Sequence, residues 1–149
     1  MTQEIRIGKK IVGGRNPVYI IAEIGLNHQG DINLAKKLID IAVDAQCDAV
    51  KFQKRSLEQL YQKNVLENSV NEEQGGQYLL RHIKKSELSK EDVTELCSYA
   101  RLKEIDFLCT PWDEESLSFL ATLNLSAYKI GSPDLFNLKL IHKAGLLGK

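Results

Sequence analysis

Short β-type runs alternate with amphipathic helical runs along this sequence, and the alternation restricts the fold more than any other feature. The β-type runs are predicted at 19–25, 49–53, 106–110 and 127–132. The helical runs are predicted at 33–46 and from Ser89, Asp113 and Asn137 onward. Strands that alternate with helices indicate a parallel sheet with right-handed crossovers. The sequence therefore predicts an α/β fold of four consecutive βα units.

Two α/β architectures fit this pattern, an open doubly wound sheet and a barrel. No G-x-G-x-x-G motif follows a predicted strand and no Walker loop is present, which disfavours the nucleotide-binding open sheets. The polar residues lie late in the strands or just after them, as they do in barrel enzymes. A complete (β/α)8 barrel needs about 250 residues. A chain of 149 residues is therefore predicted to form the first four βα units of a TIM barrel.

One connection is far longer than the others. Residues 54–88 are polar and contain Gly75-Gly76. If residues 1–149 are the N-terminal half of a TIM-barrel domain, this segment joins the second strand to the second helix. A connection of this length in a compact domain is usually functional or a mobile lid.

Charge and hydrophobicity exclude several classes of function. Lys and Arg number 20 and Asp and Glu also number 20, so neither nucleic acid nor an anionic membrane is an expected partner. The apolar runs are no longer than strands and the first ten residues lack a secretory signal, which predicts no bilayer span. Cys47, Cys97 and Cys109 have no C-x-x-C spacing, as expected of reduced core residues in a cytoplasmic protein.

Three of the predicted strands each contain one charged residue in their interior: Glu23, Lys51 and Lys129. Parallel strands are buried on both faces, so a charge within them needs a partner. A salt bridge among the three side chains is the structural explanation. It leaves an excess of positive charge, because two lysines meet one carboxylate. A bound phosphate or carboxylate would complete the balance, and this favours an anionic substrate at the strand ends.

Three polar clusters lie beside the same strand ends, at 27–31, 110–113 and 131–134. Each also has a structural explanation: a turn, a helix cap at Asp113, and a strand-to-helix turn. Ser132 and its backbone N–H are suited to phosphate oxygens. The histidines at 28, 82 and 142 share no ligand-like spacing, so no metal ligand is expected in this chain.

Four motifs identify a family that the sequence resembles. IAEIGLNHQGD, AVKFQK, CTPWD and AYKIGSPD are similar in order and spacing to the sialic acid synthases, from about residue 18 to the end. The resemblance implies a TIM barrel whose second half, together with an antifreeze-like domain, lies beyond Lys149. It implies condensation of phosphoenolpyruvate with an N-acetylmannosamine-type amino sugar, giving a sialic (nonulosonic) acid and phosphate.

The same resemblance implies roles for individual residues. Lys51 and Lys129 match the lysines that hold the carboxylate and phosphate of phosphoenolpyruvate, and Glu23 matches a carboxylate near the reacting sugar carbon. Six further residues are expected to bind substrate: Asn27, His28, Gln53, Thr110, Ser132 and Asp134. A divalent metal, Mn or Mg, is expected in the complete enzyme, with ligands outside this chain.

Several expectations follow about the chain as a unit. Four strands leave two free edges, so a homodimer is expected, and the chain alone is expected to be inactive. The sequence reads GSPD where many relatives read GSGE, which leaves the sugar open. Another phosphoenolpyruvate-dependent barrel synthase, such as a 3-deoxy-heptulosonate phosphate synthase, needs basic residues for a second phosphate that are not seen here. A non-catalytic, anion-binding half-barrel is the third alternative.

Overall fold

The computed structural model describes residues 3–67 and 76–149, and the chain begins with a hairpin. Strands β1 (Glu4–Ile7) and β2 (Lys10–Gly13) pair antiparallel. Gly8 in the turn has a φ of +54°, and a Cβ there would stand 2.3 Å from Oδ2 of Asp106. Only glycine fits this turn without displacing that carboxylate. This hairpin was not predicted from the sequence.

Three parallel strands form the main sheet, in the order β3 (Ile21–Gly25), β4 (Ala49–Lys54) and β5 (Asp106–Pro111). The strands occupy the positions predicted from the sequence, to within two residues at each end. In the register, Glu23 lies beside Lys51. The α/β fold with parallel strands is therefore confirmed, with β4 in the centre.

The helices follow the strands as the periodicity predicts. They are α1 (Ile32–Asp44), α2 (Leu57–Leu60), α3 (Lys63–Glu67), α4 (Gly76–Ser86), α5 (Lys90–Leu102), α6 (Glu114–Thr122) and α7 (Leu138–Leu146). Asp31, Ser89 and Asp113 cap α1, α5 and α6 with their side chains. Ser89 and Asp92 form the predicted capping box. None of the helices in the described part of the chain is long and apolar enough to cross a bilayer.

The hydrophobic core lies between the sheet and the helices α1, α5 and α6. Val50 and Phe52 on β4 are completely buried and point into it, and the ring of Phe52 stacks on Phe107 with centroids 5.1 Å apart. Helix side chains complete this layer, among them Ile39, Val93, Leu96 and Leu120. The cysteines are all free thiols. Burial raises the pKa of Cys97 and of Cys109, as expected of core residues.

The predicted fourth strand was wrong in its extent. Instead of a strand over 127–132, the structure has one isolated parallel bridge between Cys109 and Tyr128. A 3-10 turn then begins at Ser132 and ends at Phe136. Pro133 fixes its own φ and has no backbone N–H to donate, so the chain turns where the strand was expected to continue.

The long connection is more structured than its composition indicates. Helices α2 and α3 occupy its first part and α4 its last part. Residues 68–75, which include Gly75, lie outside the described residues.

The amino end of the sheet is joined to the N-terminal hairpin by hydrogen bonds and one ion pair. Lys10 pairs with Asp48, whose carboxylate also accepts a 2.6 Å hydrogen bond from the backbone N–H of Ile20. The hydroxyl of Tyr19 donates to Oδ2 of Asp106 at 2.6 Å. Burial and the nearby Asp106 carboxylate raise the pKa of Tyr19, so the phenol remains a donor.

Replacing the cap residue tests the structural role of the capping box. We expect Ser89→Ala to lower the free energy of unfolding by about 1 kcal/mol, because the backbone N–H of Asp92 loses its acceptor. Urea denaturation followed by circular dichroism measures this change. Ser98→Ala on the exposed face of the same helix is the control. Equal effects of the two substitutions would contradict the assigned role of the cap.

Candidate functional site

The pleat of the sheet separates charged side chains from the core. Side chains alternate between the two faces of a strand. Lys51 and Gln53 therefore point away from Val50 and Phe52, which lie in the core. We call this side the polar face. Its residues are Glu23, Lys51, Gln53, Arg55, Thr110, Trp112 and Lys129, from the middle and carboxyl-terminal parts of the strands and the positions that follow them.

Glu23 and Lys51 form an ion pair on the polar face, as the salt-bridge explanation predicted. The Lys51 side chain is 12% exposed and that of Glu23 is 50% exposed. Only one carboxylate oxygen of Glu23, Oε2, makes this contact. The pair therefore holds the lysine in place and leaves the second carboxylate oxygen of Glu23, Oε1, outside this ion pair.

Lys129 brings a second cation to the same face. The bridge between Cys109 and Tyr128 places Lys129 level with Thr110. Lys129 is exposed, and it forms no ion pair with any residue in 3–67 or 76–149. The structure therefore brings Glu23, Lys51 and Lys129 to one face, with only Lys51 neutralised by a partner.

Apart from Nε2 of His28, two unpartnered polar atoms in the described part of the chain belong to predicted substrate-binding residues. The hydroxyl oxygen of Thr110 is buried and has no hydrogen-bond partner within the described residues. The same is true of Oδ2 of Asp134, while its Oδ1 accepts from the side chain of Asn137 at 3.1 Å. Ser132 is exposed at the start of the 3-10 turn. Buried polar groups normally find partners, so the two unpaired atoms are available to a ligand.

Gln53 belongs to a network that the sequence analysis missed. Its Oε1 accepts a hydrogen bond from Nη2 of Arg55 and another, 3.2 Å long, from the indole nitrogen of Trp112. The guanidinium of Arg55 stacks over the Trp112 ring at 4.6 Å. Since Arg55 follows Gln53 by two positions, the period of a strand would have placed both on one face.

The half-buried carboxylate of Glu87 supports this network. Glu87 accepts hydrogen bonds through Oε1 from Nζ of Lys54 at 2.6 Å and from the backbone N–H of Arg55 at 3.0 Å. Its Oε2 lies 3.7 Å from Nη1 of Arg55. Burial lowers the pKa of Arg55, and the Glu87 carboxylate acts in the opposite direction. An arginine nonetheless keeps its charge near neutral pH.

The two predicted substrate-binding residues of the cluster at 27–31 lie in different environments, one at the surface and one in the core. Asn27 is exposed, and its side chain donates to the backbone carbonyl of Ile24 at 2.9 Å. His28 is completely buried, and its ring lies 5.8 Å from that of Phe52, on the core side of the sheet. The structure therefore does not bring His28 to the polar face with the other predicted substrate-binding residues.

Metal-ligating side chains do not cluster in the described part of the chain. Nowhere in 3–67 or 76–149 do three or more His, Cys, Asp or Glu side chains gather closely enough to hold an ion. The expectation that the metal ligands lie outside this chain stays a prediction.

A parallel sheet with helices on one face and charged side chains at the carboxyl ends of its strands is typical of α/β barrel enzymes. Residues 38–149 match the NeuB family, and the chain belongs to it. The resemblance to sialic acid synthases is thereby confirmed. The chain is 38% identical over 139 residues to N-acetylneuraminate-9-phosphate synthase of Mus musculus, covering 93% of this chain and 39% of that protein.

A bacterial relative matches this chain with similar identity and coverage. The N,N'-diacetyllegionaminic acid synthase of Campylobacter jejuni is 39% identical over 136 residues, which cover 87% of this chain and 40% of that protein. The chain thus spans about two fifths of the length of the curated relatives it matches.

Solved structures extend the comparison to three dimensions. The N-acetylneuraminic acid (sialic acid) synthetase of Leptospira borgpetersenii, in complex with citrate, superposes with a TM-score of 0.85 at 36% identity, covering 99% of this chain and 48% of that one. A 3-deoxy-heptulosonate phosphate (DAHP) synthase of Thermotoga maritima reaches 0.68 at 14% identity, covering 99% and 36%. At that identity, the second likeness shows a shared fold alone.

The buried imidazole predicts a pH dependence of stability. Burial lowers the pKa of His28 below its unfolded value of about 6.5. The Gly25 backbone and Glu87 act in the opposite direction but do not outweigh it. Below about pH 6.5 the unfolded chain takes up a proton that the folded chain resists, so stability falls as the pH falls toward the folded-state pKa.

We expect His28→Gln to remove this contribution. Urea unfolding at pH 7.5 and pH 5.5 should show a smaller loss of stability in the variant than in the parent. Phe52→Leu disturbs the same packing and retains the imidazole, so it should keep the parent's pH dependence. A pH dependence unchanged by His28→Gln would contradict the assignment.

Proposed function

We propose that the polypeptide carrying these residues condenses phosphoenolpyruvate with an N-acetylated amino sugar of the N-acetylmannosamine type. The products are a sialic (nonulosonic) acid and phosphate. The observation that carries this proposal is the charge arrangement of the polar face. Glu23 holds Lys51, and Lys129 has no ion pair in the described part of the chain. Lysines at the carboxyl ends of parallel strands suit the carboxylate and phosphate of phosphoenolpyruvate.

The names of the relatives support this substrate class. They include synthases of N-acetylneuraminate 9-phosphate and of N,N'-diacetyllegionaminic acid, and both names describe acids built on N-acetylated sugars. The Leptospira synthetase is in complex with citrate, a carboxylate anion. The same chemistry of recognition is proposed for the polar face of this chain.

In the proposed reaction, C3 of phosphoenolpyruvate attacks the aldehyde carbon of the open-chain sugar and forms the new C–C bond. The aldehyde oxygen takes up a proton and becomes a hydroxyl. Water adds at C2, and phosphate leaves as the bond between C2 and its oxygen breaks. Lys51 and Lys129 neutralise the carboxylate and the phosphate. Glu23 meets the sugar near the reacting carbon through the oxygen that Lys51 does not engage.

The remaining predicted residues are proposed to line the two substrates. The unpartnered hydroxyl of Thr110 and the exposed Ser132 donate to oxygens of phosphoenolpyruvate. Oδ2 of Asp134, which is buried and unpaired among the described residues, accepts from a sugar hydroxyl. Asn27 stays a prediction at the rim of the site. This chain has Gly-Ser-Pro-Asp at 131–134 where many relatives have Gly-Ser-Gly-Glu. The contact of Asp134 is therefore proposed to determine which sugar is bound.

A divalent metal, Mn or Mg, is proposed to polarise the aldehyde when bound, as Lewis-acid catalysis requires. Its ligands are proposed to come from residues outside this chain, since the described residues offer no cluster that fits. A homodimer is proposed as the assembly.

Lys129→Ala in the complete polypeptide tests the anion site. We expect kcat/KM for phosphoenolpyruvate to fall by roughly tenfold to a hundredfold, the loss of one charge-assisted contact. Release of phosphate measures this change. Lys139→Ala is the matched control, because Lys139 is 74% exposed and pairs with Glu114 on the helical surface. A kcat/KM equal to that of the parent would refute the role of Lys129.

Residues 1–149 expressed alone test the half-barrel interpretation. The outer edge of β3 has no neighbouring strand in the described part of the chain, and Ile20 and Ile21 beside it are exposed. Such edges favour pairing between copies, so we expect a dimeric mass in solution. We also expect no condensation with Mn present. A monomer that turns over both substrates would overturn the interpretation.

A further inference from the structure

We propose that Arg55 and Trp112 are positioning residues that hold Gln53 as a hydrogen-bond donor, with its amide N–H groups directed at the sugar beside Glu23. This inference rests on the proposed function for the identity of the ligand. The orientation of the Gln53 amide is inferred from the geometry of the Gln53, Arg55 and Trp112 side chains.

The orientation of the Gln53 amide is fixed by its two neighbours. Its carbonyl oxygen Oε1 accepts from Nη2 of Arg55 and from Nε1 of Trp112. Guanidinium and indole nitrogens only donate, and a carbonyl oxygen has two acceptor positions. Rotating the amide by half a turn would set N–H groups against N–H groups. Gln53 is therefore left with donors alone for any further partner.

The free amide nitrogen lies next to Glu23. Nε2 of Gln53 is 3.4 Å from the point that a Cβ on Gly25 would occupy, and Oε1 of Glu23 is 3.3 Å from the same point. Gly25 has a φ of +55°, and both atoms are at contact distance from the position its Cβ would take, so a larger residue would crowd the Glu23 and Gln53 side chains. A donor from β4 and an acceptor oxygen from β3 that Lys51 does not engage thus flank the same position on the polar face.

The supporting pair is itself held firmly. Arg55 is only 6% exposed. Its guanidinium lies over the Trp112 ring at 4.6 Å and 3.7 Å from Oε2 of Glu87. Its backbone N–H donates to the same carboxylate at 3.0 Å. The ring stack and the ion pair restrict the Arg55 side chain, and Arg55 in turn restricts the rotamers of Gln53. Donors held in this way bind a ligand more tightly than mobile ones.

A ligand oxygen that accepts from Gln53 fits this arrangement. A sugar hydroxyl matches both groups, because it accepts from the amide and donates to Glu23. Phosphoenolpyruvate has no hydroxyl in the ionised form and gains nothing from Glu23. The pair Gln53 and Glu23 therefore selects the sugar, while the lysines select the anion.

The test uses the complete polypeptide with Arg55→Met, Trp112→Phe and Gln53→Ala, singly and in pairs. Trp112→Phe keeps a ring for the stack and removes the N–H. We expect each of the first two substitutions to raise the KM for N-acetylmannosamine about threefold to tenfold, with the KM for phosphoenolpyruvate unchanged. In the Gln53→Ala background, neither substitution should change the KM further, because the effect passes through Gln53.

Arg101→Met serves as the control, since Arg101 bonds the backbone of Leu123 on the helical side. An increase in KM that persists in the Gln53→Ala background would overturn the positioning role and indicate a general structural one. If Arg55→Met does not fold, Arg55→Lys replaces it. This substitution keeps the positive charge and removes the guanidinium group that donates to Gln53.

A second measurement separates this inference from the proposed function. Nitrogen relaxation of the side-chain amide of Gln53 should report a rigid group in the parent and a mobile group in Trp112→Phe and Arg55→Lys. If the parent shows no turnover of phosphoenolpyruvate with the sugar, the proposed function fails and these relaxation data still decide the positioning. A Gln53 amide that is already mobile in the parent would overturn it.

Discussion

The alternation of side chains along β4 determines both the stability of this chain and its chemistry. Val50 and Phe52 are completely buried against the helices, and Lys51 and Gln53 point the opposite way. A slip of one residue would exchange the two sets and bury a lysine among leucines and valines. The hydrophobic layer therefore fixes the register that brings Lys51 next to Glu23, and the ion pair depends on apolar packing on the other side of the strand.

Much of this arrangement is predictable from the sequence because it depends on local patterns. The three parallel strands follow from β-type runs, and Ser89 and Asp113 cap helices because short polar side chains compete for free backbone N–H groups. The ion pair of Glu23 and Lys51 follows from the cost of a buried charge. Family resemblance adds the expected substrates, which no local pattern contains.

The features that were not predicted depend on contacts between distant segments. Arg55 reads as a surface residue in a polar stretch, and its burial becomes understandable only with Glu87, 32 positions away, folded beside it. His28 reads as a turn residue, and its burial depends on Phe52. The strand expected over 127–132 fails because Pro133 begins a 3-10 turn and only β5 is available as a neighbour. Such outcomes follow from tertiary packing, which a single sequence does not display.

The N-terminal hairpin closes one end of the sheet, and this gives the molecule a direction. Lys10, Tyr19 and Gly8 contact Asp48 and Asp106 at the amino ends of β4 and β5. The polar face begins in the middle of β4, with Lys51, and continues past the carboxyl ends of the strands. The side chains that join the hairpin to the sheet are therefore not those proposed to meet substrate. Substitutions of exposed polar-face residues such as Lys129 therefore leave the contacts between the hairpin and the sheet intact, whereas Asp113, in the turn after β5, also caps α6. A change in sugar preference therefore requires no compensating substitution among the residues that join the hairpin to the amino ends of β4 and β5.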